Sequence, residues 1–316
     1  MKKILIIADP IQNININGDS TYLMFLTAHD LGYQVFYTTP NKLFALNNQA
    51  FAHVIELSIK HGVDEIHSTP NWFEIKQEIN DFDLTNFDGI YIRNDPPFNM
   101  EYYYLTQILD LCANSGVKIF NNPTILRNCN EKLTILNFPE HITPTLVSKD
   151  KQTILNFINT HDICVAKPID LMAGRGIFRV TKDEANKNAI LESLTDYYTQ
   201  TIMVQKFIPE VIHGDKRIFI INGEVISHCL YRIPQNGEIR GNLAVGGRGE
   251  VHPLNEHDYV IATTGAKWLV QQNIMIAGID VIGKCLTEVN VTSPTAMQQI
   301  YRDTKINIAE KILTLI

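Results

Sequence analysis

The sequence predicts an amino-terminal α/β domain followed by an α+β region, and three observations lead to this fold class. Residues 1–38 read as strand, helix and strand, which is the alternation of an α/β layer. The chain is broken at Asn121-Asn122-Pro123, and we place the first domain boundary there. Beyond that point the pattern changes, and strands are joined by loops and hairpins.

Length and composition are those of a soluble globular enzyme. The 316 residues are enough for about two or three domains, and 45% of them are hydrophobic and 19% charged. The formal net charge of -7 and the pI near 5.8 argue against a nucleic-acid-binding surface, because phosphate contacts need clustered Lys and Arg. A single site can still be basic enough to bind an anionic ligand.

Cysteine usage and the apolar runs predict a cytoplasmic protein that does not enter the membrane. The five cysteines are odd in number and widely spaced, without a Cys-x-x-Cys pair, which suits a reducing cytosol. The apolar run after Met1 stops at Asp9, too soon for a signal peptide. No run approaches the ~20 apolar residues of a membrane span.

The amino-terminal domain is predicted to begin with a strand at 3–8, a helix at 21–31 and a strand at 34–38. Asp19 or Ser20 is placed to cap the helix, and Gly32 to end it. A further strand at 89–92, a helix at 101–114 and a strand at 117–120 complete the expected elements of this domain.

Arg93 lies at the carboxyl end of the predicted strand 89–92, the place where ligands of open α/β sheets bind. It is therefore a candidate for holding a substrate carboxylate. The alternative is an ion pair between Arg93 and Asp95 within a turn.

A glycine-rich loop joins two predicted strands, 163–166 and 177–180, with Lys167 at the start of the connection. No helix follows Gly174 and Gly176, which excludes the dinucleotide-binding fingerprint. Such a loop can lie over a triphosphate and donate backbone N–H groups to it. A plain hairpin turn is the alternative. On the amino-terminal side of the glycine-rich loop, a short helix is expected to begin at Arg127 and to end before Pro139.

A second unusual connection follows the strand predicted at 203–207, where Pro209 prevents regular pairing and leaves backbone groups that could read an adenine edge. After strands at 217–221 and 225–229, residues 233–250 contain five glycines with Arg240 and Arg248 among them. This composition predicts a lid that closes on anions, or else a mobile surface loop. Helices are expected at 257–272 and over about the last twenty residues.

The hairpin predicted around 277–291 carries three oxygen-bearing side chains, Asp280, Glu288 and Asn290. Glu288 and Asn290 are two residues apart and so point the same way. A loop with an odd number of residues, or a bulge, places Asp280 on their face, whereas a strict two-residue turn places it on the other. Hard cations such as Mg²⁺ prefer oxygen ligands, so the hairpin is a candidate metal site, with a solvated sheet face as the alternative.

One motif in this hairpin is misleading. Gly278-x-x-x-x-Gly283-Lys284 resembles a phosphate-binding P-loop, but Cys285 stands where Ser or Thr is required. The four intervening residues form strands and do not turn freely, so we reject the P-loop interpretation.

The sequence resembles the ATP-grasp superfamily, and more narrowly the bacterial glutathione synthetase family. The resemblance lies in the order of its features along the chain: Lys132 and Lys167, the glycine loop, the hinge at Pro209, the loop 233–250 and the hairpin around 277–291. Four stretches carry the resemblance, at 9–15, 93–98, 232–249 and 278–294. It covers almost the whole chain, and the lid stretch is highly specific. Ala173 and Arg175 depart from it, because small residues, mostly Gly, are expected there.

The resemblance implies an amino-terminal substrate domain (1–122) and an ATP-grasp fold of two α+β subdomains (123–316), divided near 204 into a smaller lid subdomain and one with the metal hairpin and the loop 233–250. It implies ATP contacts at Lys132, Lys167, Gly174, Gly176, Gln205, Lys206, Phe207 and Ile208, with Asp215 or Glu210 at the ribose. The implied Mg²⁺ ligands, with Mn²⁺ possible, are Asp280, Glu288 and Asn290. Catalytic roles fall to Arg217, Arg232 and Arg240, and substrate contacts to Arg93, Arg232 and Asn290.

The implied reaction joins γ-glutamylcysteine and glycine with ATP, forming glutathione through an acyl phosphate. We expect a homo-oligomer with no nucleic-acid or membrane partner. The alternatives are another ATP-grasp carboxylate–amine ligase or a non-catalytic ATP-binding regulator. The sequence contains neither Gly-x-Ser-x-Gly nor His-Glu-x-x-His, which leaves serine-hydrolase and zinc-protease chemistry without support.

Overall fold

The computed structural model describes residues 1–60, 72–94, 97–172, 174–235, 237–243 and 246–316, and these form three β-sheets with helices packed against them. The sheets follow one another along the chain, with seven, four and five strands. This arrangement confirms the predicted α/β domain followed by α+β parts.

The first sheet consists of β1 (Lys3–Ile7), β2 (Gln34–Thr38), β3 (Leu43–Leu46), β4 (Gln49–Ile59), β5 (Phe73–Asp83), β6 (Gly89–Ile92) and β7 (Lys118–Phe120). Its order is β3-β4-β2-β1-β6-β7, with β5 paired to β4. The four strands expected in this domain form the parallel segment β2-β1-β6-β7, whereas β3, β4 and β5 form an antiparallel extension that the sequence analysis did not identify.

Two helices cover the two faces of this sheet, α1 (Ser20–Asp30) and α2 (Met100–Asn114). Successive strand residues point to opposite faces, so Ile4 packs in the core on the α1 side and Leu5 in the core on the α2 side. Asp19, one of the two residues expected to cap this helix, accepts a hydrogen bond from the backbone N–H of Thr21 and caps α1.

The connection after the first sheet corrects one prediction. The helix expected to open at Arg127 instead begins earlier, as α3 (Pro123–Asn128), and a separate 3-10 turn follows at Leu133–Asn137. Asn122 caps α3 by accepting from the N–H of Thr124, and a proline at the first helical position favours this start.

The second sheet is antiparallel, with order β10-β9-β11-β8. Its strands and helices, in chain order, are β8 (Thr145–Ser148), α4 (Lys151–His161), β9 (Ile163–Pro168), β10 (Phe178–Thr181), α5 (Lys187–Leu194) and β11 (Ile202–Lys206). Ile154 of α4 and Leu191 of α5 pack against Cys164 and Val204, so the two helices cover one face. The other face remains available to a ligand.

The third sheet is also antiparallel, with order β14-β13-β12-β15-β16. It contains β12 (Asp215–Ile221), β13 (Glu224–Ile233), β14 (Arg248–Pro253), β15 (Ile276–Ile282) and β16 (Cys285–Asn290), and α6 (Glu256–Gln271) lies between β14 and β15 in the chain. Asn222 and Gly223 form the turn between β12 and β13, with φ of 47° and 79°. Lys216 and Asp258 of α6 form a buried ion pair at 2.5 Å beneath this sheet.

The carboxyl terminus differs from prediction. The single helix expected there is two helices, α7 (Met297–Thr304) and α8 (Ile308–Leu313), because Lys305 takes a left-handed conformation (φ 63°) and Asn307 caps a new helix. Both helices pack in a core that includes Ile4 of the first sheet and Phe219 of the third. The chain end therefore ties these two sheets together.

Asn121 makes a second tie between the same sheets. Its buried amide donates to the carbonyls of Ile276 (2.6 Å) and Val291 (2.7 Å), and its oxygen accepts from the N–H groups of Met275 and Ile276. Within the described residues, no helix is both long and apolar enough to cross a bilayer.

Candidate active site

A cleft of about 890 Å³ separates the second sheet from the third. Most of the residues expected to bind nucleotide or metal line it: Lys132, Lys167, Gly174, Gln205, Lys206, Phe207, Ile208, Asp215, Asp280 and Glu288. Arg232 and Arg240 line it as well. Its walls combine apolar and charged side chains, as small-molecule sites do.

One end of the cleft is cationic. Lys132 and Lys167 are buried, and the ammonium of Lys132 lies 3.7 Å from the carboxylate of Glu288 and donates to the carbonyl of Leu171. Burial lowers the pKa of Lys167, and the nearby charge of Glu288 opposes this effect. An anionic ligand between the two ammonium groups would relieve part of the desolvation that burial imposes.

The glycine loop closes this end of the cleft. Gly174 and Gly176 have φ of 74° and 69°, a backbone conformation that other residues rarely adopt. A Cβ on Gly174 would lie 3.1 Å from the Cδ of Arg240, so the glycine loop and the predicted lid are in contact. Arg175 lines the cleft, and Ala173 lies outside the described residues.

The other end is formed by the predicted hinge. The last residues of β11 lead to Phe207 and Ile208 in the cleft wall, and a 3-10 turn begins at Pro209. Of the two residues considered for a ribose, Asp215 lines the cleft, whereas Glu210 is exposed and not among the lining residues that the structure describes.

The metal hairpin has a two-residue turn followed by a bulge. Ile282 pairs with Cys285 across the Gly283-Lys284 turn, and the register then shifts so that Asp280 pairs with Glu288. The three-residue turn considered from the sequence is therefore wrong, and the bulge is confirmed as the feature that brings Asp280 to the face of Glu288. The extra residue is Thr287, whose hydroxyl donates to the carbonyl of Asp280 at 3.1 Å.

Two arginines hold Asp280 from the neighbouring strands. Arg217 on β12 donates to both carboxylate oxygens, at 2.5 and 2.9 Å, and Arg232 on β13 donates to Oδ2 at 2.7 Å. Arg232 also donates to Asp215 at 2.5 Å. Burial alone would raise the pKa of Asp280, but the two guanidinium groups outweigh it and hold the pKa at about 2. Burial raises the pKa of Asp215 despite Arg232.

The donor set fits a hard divalent cation. Asp280 and Glu288 supply carboxylate oxygens on one sheet face, and the amide nitrogen of Asn290 donates to the carbonyl of Gly278 (3.1 Å), which orients its oxygen as a ligand. The described residues contain no cluster of three or more His, Cys, Asp or Glu side chains suited to a metal. An ion here would therefore complete its coordination with phosphate oxygens and water, as Mg²⁺ does.

The loop predicted to act as a lid is shorter than the expected 233–250. β13 continues to Ile233 and β14 begins at Arg248, so the loop covers 234–247 and Arg248 pairs with Glu250 at the surface, away from the cleft. Arg240 remains in the loop and lines the cleft. Its hydrogen bond to Glu238 lowers the pKa of that carboxyl to about 2.

A second cavity of about 880 Å³ adjoins the cleft and shares Lys132, Arg232 and Glu288 with it. Arg217, Asn290 and Ser293 line it as well. Arg93 lies behind its wall, donating to the carbonyl of Pro294 at 3.2 Å and accepting at its own carbonyl from the hydroxyl of Ser293. The alternative pairing of Arg93 with Asp95 involves a residue outside the described ones.

The sequence analysis missed Glu131, which lines this second cavity, and Asn242, which lines both. Glu131 directly precedes Lys132, but its partner Thr292 lies 161 residues away in the chain. No local pattern signals that contact. Asn242 lay inside a stretch interpreted only as a lid.

Comparison with known proteins identifies two family models along the chain. The N-terminal domain of prokaryotic glutathione synthetase matches residues 2–127, and the ATP-grasp domain of the same family matches residues 131–305. The glutathione synthetase of Neisseria meningitidis serogroup A is 43% identical over 97% of this chain and 96% of its own. That of Escherichia coli K12 is 40% identical over 100% of this chain and 98% of its own.

Solved structures share the fold at low sequence identity. The D-cycloserine synthetase DcsG superposes with a TM-score of 0.65 at 12% identity, covering 99% of each chain. The ATP-grasp ligase PsnB, complexed with a precursor peptide and AMPPNP, gives a TM-score of 0.62 at 12% identity, covering 99% of this chain and 96% of its own. The described fold is therefore shared with ATP-grasp ligases.

Proposed function

The chain belongs to the prokaryotic glutathione synthetase family, and from this premise we propose which of its residues carry out the reaction. The protein is an ATP-dependent ligase that synthesises glutathione. We propose γ-glutamylcysteine as the donor of the activated carboxyl group and glycine as the amine acceptor. The cysteinyl carboxylate attacks the γ-phosphorus of ATP, giving an acyl phosphate and ADP, and the glycine amine then displaces phosphate.

One observation carries the assignment of roles. Asp280 and Glu288, with Arg217 and Arg232, occupy one face of the third sheet, in a cleft whose cationic end contains Lys132 and the buried Lys167. The two reacting groups are both anions, and at ~4 Å two unit charges repel by roughly 4 kcal/mol at an effective dielectric of 20. Buried cations on both sides of the reacting atoms cancel this repulsion without any reorganisation.

The nucleotide is proposed to lie with its adenine at Gln205, Lys206, Phe207 and Ile208 and its ribose at Asp215. Its phosphates then lie beside Lys132 and Lys167, beneath Gly174 and Gly176. This arrangement is supported by the lining of the cleft, which includes Phe207 and Ile208 as well as Lys132 and Lys167. Glycine at both loop positions permits the close approach of a backbone to phosphate oxygens.

A divalent ion held by Asp280, Glu288 and Asn290, which we propose to be Mg²⁺ with Mn²⁺ able to replace it, would neutralise charge on the phosphates as the reaction proceeds. Cationic side chains of the protein add to this neutralisation. Arg217 and Arg232 orient Asp280 and extend towards the second cavity, where the substrate carboxylate is proposed to bind. Arg93 and Asn290 are proposed to hold the peptide substrate on the far side of that cavity.

The loop 234–247 is proposed to act as the lid. An acyl phosphate hydrolyses readily, so water must be excluded until the amine attacks. Support comes from Arg240, which lies against Gly174 and lines the cleft, because closure of this loop would bring a guanidinium to the phosphoryl group being transferred.

We also propose a domain division at 122/123, and a second one close to 204, within β11 and shortly before β12 begins the next sheet. A cytoplasmic location is supported by five free thiols, four of them buried. The expected homo-oligomer and the absence of nucleic-acid partners remain proposals, which analytical ultracentrifugation and a DNA-binding assay would test.

The decisive test is ADP release with γ-glutamylcysteine, with and without glycine, followed by mass spectrometry of the products. We expect stoichiometric ADP, phosphate and glutathione only when both substrates are present. Should ADP appear instead with a different carboxylate and amine from an amino-acid panel, the substrates proposed here would be wrong and another carboxylate–amine ligase of this fold would replace them.

A further inference from the structure

β16 carries two of the three proposed metal ligands, Glu288 and Asn290, and it is the last strand at one edge of the third sheet. On its inner side β15 holds it, with Asp280 opposite Glu288 and Gly278 opposite Asn290. No other strand among the described residues pairs with it. The outer side of an edge strand presents backbone groups without a strand partner. The two ligands are therefore held firmly only if something else supports that side.

Glu131 supplies this support through three hydrogen bonds. Its backbone carbonyl accepts from the N–H of Val289 at 2.9 Å. Its side-chain Oε1 accepts from the hydroxyl of Thr292 at 2.7 Å and from the N–H of Thr292 at 3.3 Å. Val289 precedes Asn290 in the chain and Thr292 follows it, so one residue holds the backbone on both sides of a proposed metal ligand.

The residue after Glu131 is Lys132, which is proposed to contact the phosphates. The backbone N–H of Lys132 donates to the side chain of Asn130 at 3.0 Å, and its buried ammonium lies 3.7 Å from the carboxylate of Glu288. Residues 131 and 132 are thus joined to β16 both through the backbone and through the Lys132 side chain. The spacing between the ammonium of Lys132 and the carboxylate of Glu288 depends on where Glu131 is held.

We propose, on the basis of the function proposed above, that Glu131 is a positioning residue. It fixes the ammonium of Lys132 relative to the metal ligands Glu288 and Asn290 without touching substrate or metal. The lysine and the divalent ion must act on the same phosphates, so their spacing decides how well the developing charge is stabilised. Groups that orient metal ligands from behind commonly change metal affinity by about 10- to 100-fold when they are removed.

The hydrogen bonds, and not the negative charge, are what this role requires of Glu131. Glutamine in its place keeps a side-chain oxygen that can accept from Thr292 but carries no charge. Alanine removes both the acceptor and the charge. The substitution Thr292→Val keeps the shape of the side chain and the backbone N–H, and it removes the hydroxyl that donates at 2.7 Å. These variants therefore separate positioning from an electrostatic role.

The test measures Mn²⁺ binding to the full-length protein by titration calorimetry, with saturating ADP and no peptide substrate. For Glu131→Ala we expect the Kd for Mn²⁺ to rise by roughly 10- to 100-fold. For Glu131→Gln it should stay within about fivefold of wild type, because a neutral acceptor weakens the bonds without removing them. Thr292→Val should lie between these two variants.

Glu140→Ala is the matched control, because Glu140 is an exposed glutamate nine residues further along the chain, and its Kd for Mn²⁺ should equal that of wild type. Urea denaturation of every variant separates positioning from a purely structural role. A loss of stability alone would move the urea midpoint and leave the Mn²⁺ affinity of the folded protein unchanged.

Equal Mn²⁺ affinity in wild type and Glu131→Ala would overturn the proposal, as would an equal loss in Glu131→Gln and Glu131→Ala, since the charge would then be the cause. Should Glu131→Ala not fold, Thr292→Val decides the question, and an unchanged Kd for Mn²⁺ in that variant would refute positioning. Failure of the proposed function would show differently, because wild type itself would then bind no Mn²⁺ in the presence of ADP.

Discussion

Arg232→Met is the substitution that best separates the contribution of the buried ion pairs to protein stability from their contribution to the ligation rate. Arg232 is 5% exposed and bridges two carboxylates, Asp215 at 2.5 Å and Asp280 at 2.7 Å. Asp280 keeps Arg217 in the variant, but Asp215 loses the guanidinium that it contacts. Breaking one side of a buried ion pair costs roughly 3–5 kcal/mol, because a charge is left buried and uncompensated.

The sign of the pH dependence follows from Asp215. Burial already raises its folded-state pKa, and loss of Arg232 raises it further. A carboxyl with a raised folded-state pKa favours the folded state at low pH, and this contribution is lost as the pH rises through that pKa. The stability deficit of the variant relative to wild type should therefore be smaller near pH 4, about the pKa of Asp in an unfolded chain, than near pH 8.

Urea denaturation at these two pH values measures the effect, and Asp215→Asn in the Arg232→Met background should restore part of the stability by removing the unpaired charge. Arg248→Met is the matched control, because that side chain is 73% exposed and should cost no more than about 0.5 kcal/mol. The ligation rate should fall on the order of 10²–10³-fold both in Arg232→Met and in the double variant with Asp215→Asn, since neither restores the guanidinium donor of Arg232. Equal urea midpoints for wild type and Arg232→Met at both pH values would refute this reasoning.

Three further predictions concern other parts of the molecule. Glu288→Ala should abolish ATP-dependent ligation while the circular dichroism spectrum stays that of wild type, and wild-type rates would remove Glu288 from the metal site. Deletion of the loop 234–247 should release phosphate from ATP without peptide product, measured by phosphate and glutathione assays; an unchanged product yield would show that the loop is not protective. Asn121→Leu should lower the free energy of unfolding by roughly 2–6 kcal/mol, because it leaves buried backbone groups of residues 275, 276 and 291 without their hydrogen bonds. The control is Asn137→Leu, at an exposed position. A smaller loss of stability in Asn121→Leu than in Asn137→Leu would contradict the prediction.

The elements predicted well were short apolar strands whose side chains are buried almost throughout. β2 and β6 have the predicted ends, because apolar runs in a parallel sheet are buried on both faces. β5 was missed because most of its side chains are exposed and charged or polar, and only its backbone pairing with β4 makes it a strand. The break between α7 and α8 has neither Gly nor Pro to mark it, since Lys305 itself adopts the left-handed conformation.

The candidate site was predictable in composition but not in geometry. The spacing of Glu288 and Asn290 fixes their common face, but both a three-residue turn and a bulge bring Asp280 to it, and the local sequence does not distinguish them. The partners of Asp280 come from strands 63 and 48 residues away in the chain, and no pattern within a strand specifies them. Glu131 lies 161 residues from Thr292, so its position is visible only after the chain has folded.

The charge balance of the site explains why its cations are held by acids before any ligand arrives. Arg217 and Arg232 would repel each other across β12 and β13 if Asp280 did not lie between them, and Asp280 would be a buried charge without them. Nucleotide binding would then redistribute contacts that already exist, because a phosphate oxygen can share a guanidinium whose planar fork has five donors. Lysine has no such fork and cannot bridge Asp215 and Asp280 in this geometry. The preorganisation of the site thus depends on arginine at position 232. The same contacts that stabilise the sheet also hold the guanidinium donors where negative charge develops during phosphoryl transfer.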